Sequence, residues 1–296
     1  MKAVIDLGSN TFHLRIVKQE RGVTKTVFRK RIFVRLLEDA FNNTITEEAG
    51  QRAQRASLEF YEKIHEYKVT NYQVIGTAAF RDSINGDVLK IELENTLHTR
   101  IRILSDIEEA MYIFKGVAQT LVNINGPYVI MDIGGGSVEF IVAEEKRLIF
   151  AKSYPIGLHK LAEMLSYNKT MSAISHKKLR EICEEWLKDL QLSIQNEKVN
   201  TMVGNAGSFE LCNTIAAKKP LNSYSTVLDI DKLKFYFDLL KCLPENEITQ
   251  LNWIPENRMR MLPLAFAFID TVIDFFNIEE LIYSPNSVKE GILLEI

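Results

Sequence analysis

Two aspartates in this chain stand at the head of closely similar segments. One reads Val4-Ile5-Asp6-Leu7-Gly8-Ser9-Asn10-Thr11-Phe12. The other reads Ile130-Met131-Asp132-Ile133-Gly134-Gly135-Gly136-Ser137-Val138-Glu139-Phe140. In each, an apolar run ends in the aspartate, passes a turn of small residues and resumes as a second apolar run, which predicts a strand, a tight turn and a returning strand. Glycine at Gly8 and at Gly134, Gly135 and Gly136 lets the backbone take positive φ, so that successive N–H groups line a concavity for an anion. Ser9, Asn10, Thr11 and Ser137 add hydroxyl and amide groups suited to phosphate. An aspartate leaving the strand just before such a turn offers a hard oxygen to a phosphate-bound Mg²⁺. A lone aspartate here would be better explained by hydrogen bonding to its own turn. The pairing of two such turns argues for a duplicated phosphate grip.

Other residues could complete that chemistry. Glu139 follows Ser137 by two positions in an apolar strand, and its carboxylate is expected either at a solvent edge or toward a cleft. The segment Ser105-Asp106-Ile107-Glu108-Glu109 reads as a helix start, with Ser105 or Asp106 as N-cap. Compensation of the helix dipole accounts for Glu108. Glu109 is a candidate general base for a water, provided the helix start faces bound phosphate. Arg81, in Gly76-Thr77-Ala78-Ala79-Phe80-Arg81, lies at the carboxyl end of a strand, where an arginine can hold phosphate. Gly207 and Ser208, in Gly204-Asn205-Ala206-Gly207-Ser208, open a helix after a strand; this pattern serves ordinary packing and anion binding alike. The histidines at 13, 65, 98, 159 and 176 show no metal-ligand spacing and no serine partner, and none is assigned a catalytic role.

The elements that position these groups form a repeated pattern. In the first half, strands are expected at 2 to 7, 12 to 18 and 24 to 34. A helix at 46 to 68 capped by Thr46, a strand at 72 to 77, a helix at 86 to 97, a strand at 101 to 104 and a helix at 106 to 122 follow. The second half repeats the order: strands at 128 to 133, 138 to 144 and 147 to 154, helices at 158 to 166 and 172 to 195, and a strand at 200 to 204. Helices at 207 to 218, 229 to 242 and 256 to 277, a strand at 279 to 283 and a terminal helix from 286 complete it. Two such α/β halves, 1–124 and 125–296, imply mixed sheets with helices on both faces and a ligand cleft between them. The turn-like Asn123-Ile124-Asn125-Gly126-Pro127 segment is the expected boundary.

Composition narrows the function class. The 296 residues are 46% hydrophobic and 25% charged with a net charge of -3, so no global basic field favours nucleic acid. Cysteines 183, 212 and 242 lack CxxC pairing and read as reduced thiols. No secretory signal pattern opens the chain, and the apolar stretch from Met261 to Ile282 is interrupted by acids. A cytoplasmic protein with no membrane partner is expected.

Taken in order, Asp6 to His13, Gly76-Thr77 with Arg81, Ser105 to Ala110, Asp132 to Ser137 with Glu139, and the Glu290-Gly291 pair resemble the exopolyphosphatase and guanosine pentaphosphate phosphohydrolase family. That family belongs to the actin, sugar-kinase and Hsp70 fold superfamily. The resemblance spans essentially the whole chain and is to the short two-domain members. It implies duplicated actin-like, ribonuclease H-like domains, Mg²⁺ or another divalent cation, and hydrolysis of terminal phosphate from inorganic polyphosphate or guanosine pentaphosphate. A homodimer is compatible with it. Glu109 matches the general base, Asp132 and Glu139 the acids that hold metal and attacking water, Asp6 the first phosphate loop and metal site, and Arg81 a basic residue on the polyphosphate path. The chain departs from the family pattern at Gly204 to Ser208, and at Lys289, where arginine is common. A non-catalytic polyphosphate or alarmone sensor and an ATP-dependent kinase are the competing readings.

Overall fold

The computed structural model describes the chain except for residues 21, 22, 39, 41, 122, 123, 125, 169, 196, 244 and 249. Asn123 and Asn125 of the expected boundary segment thus lie outside the described residues. The chain forms two compact units. One comprises Met1–Gly116 with Gly134–Gly136 and Val288–Ile296, and the other comprises Val117–Ile133 with Ser137–Ser287.

The first unit is built on β1 (Lys2–Leu7), β2 (Thr11–Glu20), β3 (Val23–Phe33), α1 (Glu47–Glu66), β4 (Asn71–Gly76), α2 (Ala78–Asp82), α3 (Gly86–Leu97), β5 (Ile101–Ile103) and α4 (Asp106–Ala118). Its five-stranded sheet runs β3-β2-β1-β4-β5. The first three strands are an antiparallel meander, and β4 and β5 join β1 in parallel. Thr46 caps α1 by accepting from the Ala49 N–H at 3.3 Å, with Glu47 and Glu48 in the first turn. Ala49, Ala53, Phe60 and Ile64 recur at helical spacing and bury one face of α1 against the sheet core.

The second unit contains β6 (Pro127–Ile133), β7 (Val138–Glu144), β8 (Arg147–Tyr154), α5 (Leu158–Met164), α6 (Ala173–Trp186), α7 (Lys188–Ser193), β9 (Thr201–Asn205), α8 (Ala206–Ala216), β10 (Ala217–Pro220), β11 (Thr226–Leu228), α9 (Ile230–Cys242), α10 (Glu245–Ile248), α11 (Leu262–Phe276) and β12 (Glu280–Tyr283). Its seven strands run β10-β11-β12-β9-β6-β7-β8. The last helix, α12 (Val288–Leu293), belongs to the first unit and packs on β1. Both sheets are mixed, as the α/β reading requires.

Several elements differ from their sequence expectation. Residues 172 to 195 form two helices, because Leu187, at φ −94° and ψ 9°, ends α6. The helix expected to reach 218 stops at Ala216, and Ala217 turns extended into the β10–β11 pair. Exposed Lys218 and Lys219 gave that edge strand no alternating apolar signal. The long late helix starts at Leu262, with Pro263 in its first turn, where a missing N–H costs no helical bond.

Candidate active site

In the first unit, Asp6 lies on β1 beside a four-residue turn. The Gly8 N–H donates to the Thr11 carbonyl at 3.1 Å. The Ser9 carbonyl accepts from Leu36, and the Asn10 carbonyl from Val34 and Arg35, which pins the turn to the chain beyond β3. The expectation of positive φ fails: among the described residues the one glycine in that region is Gly126, at φ 77°. Space is what Gly8 supplies, since a Cβ there would stand 2.9 Å from the Thr11 carbonyl oxygen. A Cβ on Gly136 would meet Ala78 Cβ at 3.3 Å and Ser9 Oγ at 3.4 Å, so the second glycine turn is also held by close approach. His13, given no role from sequence, is the register partner of Asp6, and its Nε2 is 2.9 Å from Thr11 Oγ1.

Glu109 and Arg81 converge in the same unit. β4 ends at Gly76, and the chain turns through Thr77 into α2, which carries Arg81. Its Nη1 donates to the Leu104 carbonyl at 2.9 Å and lies 3.5 Å from Glu109 Oε2; Nη2 pairs with Asp106 and Nε is 3.4 Å from Asp82 Oδ1. The start of α4 is a reciprocal capping box. Glu108 Oε2 accepts from the Ser105 N–H and hydroxyl at 2.8 Å each, and Ser105 Oγ accepts from the Glu108 N–H at 3.4 Å. The Ser105 backbone N–H first, then Arg102 and the Ser105 hydroxyl, hold the Glu108 carboxyl down at about 2. Glu108 therefore builds the helix start, while buried Glu109 sits one residue further along, beside the guanidinium.

In the second unit, strand register makes a polar rung across an apolar sheet. Ser153 on β8 is the partner of Glu139 on β7, Glu139 of Asp132 on β6, and Asp132 of Asn205 on β9. Four adjacent strands thus each present one polar residue at the same level. Glu139 is 2% exposed on a strand flanked on both sides, which overturns the solvent-edge alternative. Its Oε1 accepts from the Ser137 and Ser153 hydroxyls, both at 2.7 Å. Asp132 Oδ2 accepts from Asn205 Nδ2 at 2.7 Å and from the Ser287 hydroxyl at 2.6 Å. The Ser137 hydroxyl, expected on phosphate, is directed at Glu139. These donors are neutral hydroxyl and amide groups that orient the two carboxylates.

Directly opposed residues of an antiparallel pair have Cβ atoms about 4.5–5.5 Å apart, and like charges there repel. Two buried carboxylates in that relation suit a divalent cation. Mg²⁺ in particular is commonly held by one or two carboxylates together with substrate phosphates and water, without a full protein cage. Among the described residues no group of three or more His, Cys, Asp or Glu gathers as such a cage. Asp6 belongs to the first unit and is not in this rung.

Gly207 and Ser208 lie in the first turn of α8. Arg258, which the sequence reading passed over, donates to the Gly207 carbonyl and reaches Glu210 Oε2 at 2.6 Å. It sits over fifty positions away, so no local pattern marked it. Glu290 on α12 pairs with Arg15 of β2, and the divergent Lys289 places Nζ 3.5 Å from Glu290 Oε2. No helix among the described residues is long and apolar enough to cross a membrane.

The Ppx/GppA phosphatase family model matches residues 15–296. A relative assigned as an exopolyphosphatase in Haemophilus influenzae is 25% identical over 99% of this chain and 90% of its own length. A guanosine-5'-triphosphate,3'-diphosphate pyrophosphatase of Aliivibrio fischeri is 26% identical, and the chain spans only 58% of that protein. Among solved structures, an exopolyphosphatase from Cytophaga hutchinsonii aligns with a TM-score of 0.92 at 26% identity, covering 99% of this chain and 96% of that one. The Aquifex aeolicus PPX-GPPA enzyme shares the fold at 21% identity, with a TM-score of 0.80 over 100% and 99% of the two chains.

Proposed function

The chain belongs to the Ppx/GppA phosphatase family, and from that premise we propose that it hydrolyses terminal phosphoanhydride bonds, releasing orthophosphate from inorganic polyphosphate or guanosine pentaphosphate. The observation that carries the reading is the division of labour in α4. Glu108 is taken up by the cap, while its neighbour Glu109 is a buried carboxylate beside Arg81. Glu109 accepts a proton from water as the water oxygen bonds to the terminal phosphorus and the bridging P–O bond breaks. Arg81 holds phosphate oxygens at the border of that base. Ser9, Asn10 and Thr11, the backbone of Gly134, Gly135, Gly136 and Ser137, and the start of α8 at Gly207 and Ser208 supply further donors. Asp132 and Glu139 are the residues that would hold Mg²⁺ or another divalent cation, with Asp6 serving the first phosphate turn. When bound, the cation offsets the charge on the phosphate oxygens.

The proposal places the reaction in the cytoplasm, supported by buried, unbridged Cys183 and Cys212. It takes polyphosphate or guanosine pentaphosphate as partner, with neither nucleic acid nor membrane, and allows a homodimer. Orthophosphate release should be measured on short polyphosphate, long polyphosphate and guanosine pentaphosphate. Turnover of at least one that Glu109→Gln abolishes, with ligand binding retained, supports the proposal. Binding without turnover by the unmodified chain would make the protein a sensor, and ATP use that depends on a second acceptor would make it a kinase.

A further inference from the structure

The rung around Asp132 contains a group that the reaction above does not use. Asn205 is fully buried at the end of β9. Its Nδ2 is identified by its donation to Asp132 Oδ2 at 2.7 Å, which assigns Oδ1 as the other end of the amide. Among the described residues, Asn205 Oδ1 is a buried oxygen with no hydrogen-bond donor. Leaving such an acceptor unmet in a protein interior forfeits its hydration without return, and native folds seldom keep one without a use. Ser287 donates to the same Asp132 oxygen from the segment after β12, at 2.6 Å. Asp132 is thus gripped on Oδ2 by two neutral donors, from chain segments some eighty residues apart, and the grip includes an unmet acceptor.

We propose that Asn205 and Ser287 are positioning residues of a divalent-cation site at Asp132 and Glu139. The two donors fix the Asp132 carboxylate plane, and Asn205 Oδ1 accepts from a water that the cation carries. The inference rests on the reading of Asp132 and Glu139 as cation holders. It extends that reading to two residues given no role from sequence: Asn205, within the Gly204 to Ser208 turn, and Ser287, two positions before Lys289. The chemistry suits Mg²⁺ or Mn²⁺, which keep several waters when bound and are sensitive to the groups that orient their carboxylates.

The test is titration of the full chain with Mn²⁺, followed by electron paramagnetic resonance in the absence of substrate. Circular dichroism melts of each variant accompany it. Groups that orient metal ligands typically contribute about 10–100-fold to metal affinity, so Asn205→Ala and Ser287→Ala are each expected to weaken Mn²⁺ binding by that factor. Ser287→Thr retains the hydroxyl and should restore binding, a rescue that general destabilisation would not produce. Unchanged Mn²⁺ affinity in folded Asn205→Ala, alongside loss in Asp132→Asn, overturns the positioning role and leaves the cation reading intact. Equal affinity of Asp132→Asn and the unmodified chain overturns the cation reading itself. Should Asn205→Ala fail to fold, the Ser287→Ala and Ser287→Thr pair decides, because equal affinity of those two variants removes the grip on which the proposal depends.

Discussion

Arg81 Nη1 lies 3.5 Å from Glu109 Oε2, so the side chain proposed to hold phosphate touches the one proposed to take the proton. Helices α2 and α4 bring them together from positions 28 apart in sequence. The guanidinium is further anchored on the Leu104 carbonyl and on Asp106.

Loss of the base should appear in kcat. Glu109→Gln is expected to lower kcat for phosphate release by about 10²–10⁴-fold, the usual contribution of a positioned base. Arg81→Ala should raise KM and lower kcat together, because it removes both a phosphate contact and a neighbour of Glu109. Kinetics of the double variant should show far less than the product of the two single losses.

The cap of α4 gives a pH signature. The Glu108 carboxyl is depressed from its ordinary 4.5 to about 2. A carboxyl lowered on folding adds stability that is fully present above its unfolded value and disappears as pH falls through the folded one. The melting-temperature difference between the unmodified chain and Glu108→Gln should therefore be full at pH 6 and shrink between about 4.5 and about 2. A difference that stays constant across that window would contradict the capping geometry.

Gly291 on α12 closes against the backbone carbonyl of Tyr112 on α4, in contact closer than any side chain tolerates. Gly291→Ala should destabilise by about 1–3 kcal/mol, the scale of overpacking, and lower the melting temperature accordingly. Tyr112→Phe should not rescue it, since the obstacle is the carbonyl and not the ring.

Burial pushes the Cys183 thiol up to about 12 and raises that of Cys212 as well. Thiolate is the reactive form, so neither should be alkylated by iodoacetamide in the native chain at pH 8. Peptide mass spectrometry should find both modified only after denaturation.

Much of the fold was legible because its signals are local. Thr46 caps the helix its sequence position announces, the alternation of β2 and the apolar runs of β6 and β7 mark their strands, and Ser105 with Glu108 reads as a helix start. The β10–β11 pair was not legible, because an exposed edge strand with two lysines carries no apolar period. Positive φ at the turn glycines was the wrong physical account. Gly8 and Gly136 are required for the room they leave to Thr11, Ala78 and Ser9, a demand set by neighbours in space.

The candidate site divides along the same line. Sequence alone determined which carboxylates to suspect: Asp6 and Asp132 come just before a small-residue turn, Glu139 just after one and Glu109 in the first turn of a helix, and backbone chemistry makes such places recognisable. Tertiary structure decided what those carboxylates meet. Strand register set Asp132 opposite Glu139 and Asn205, a hydroxyl from position 287 closed on Asp132, and Arg81 came to rest beside Glu109. Hydrogen bonds and charge act over a few ångströms of space whatever the separation along the chain, so residues 73 or 155 positions apart become partners only once the sheets have formed.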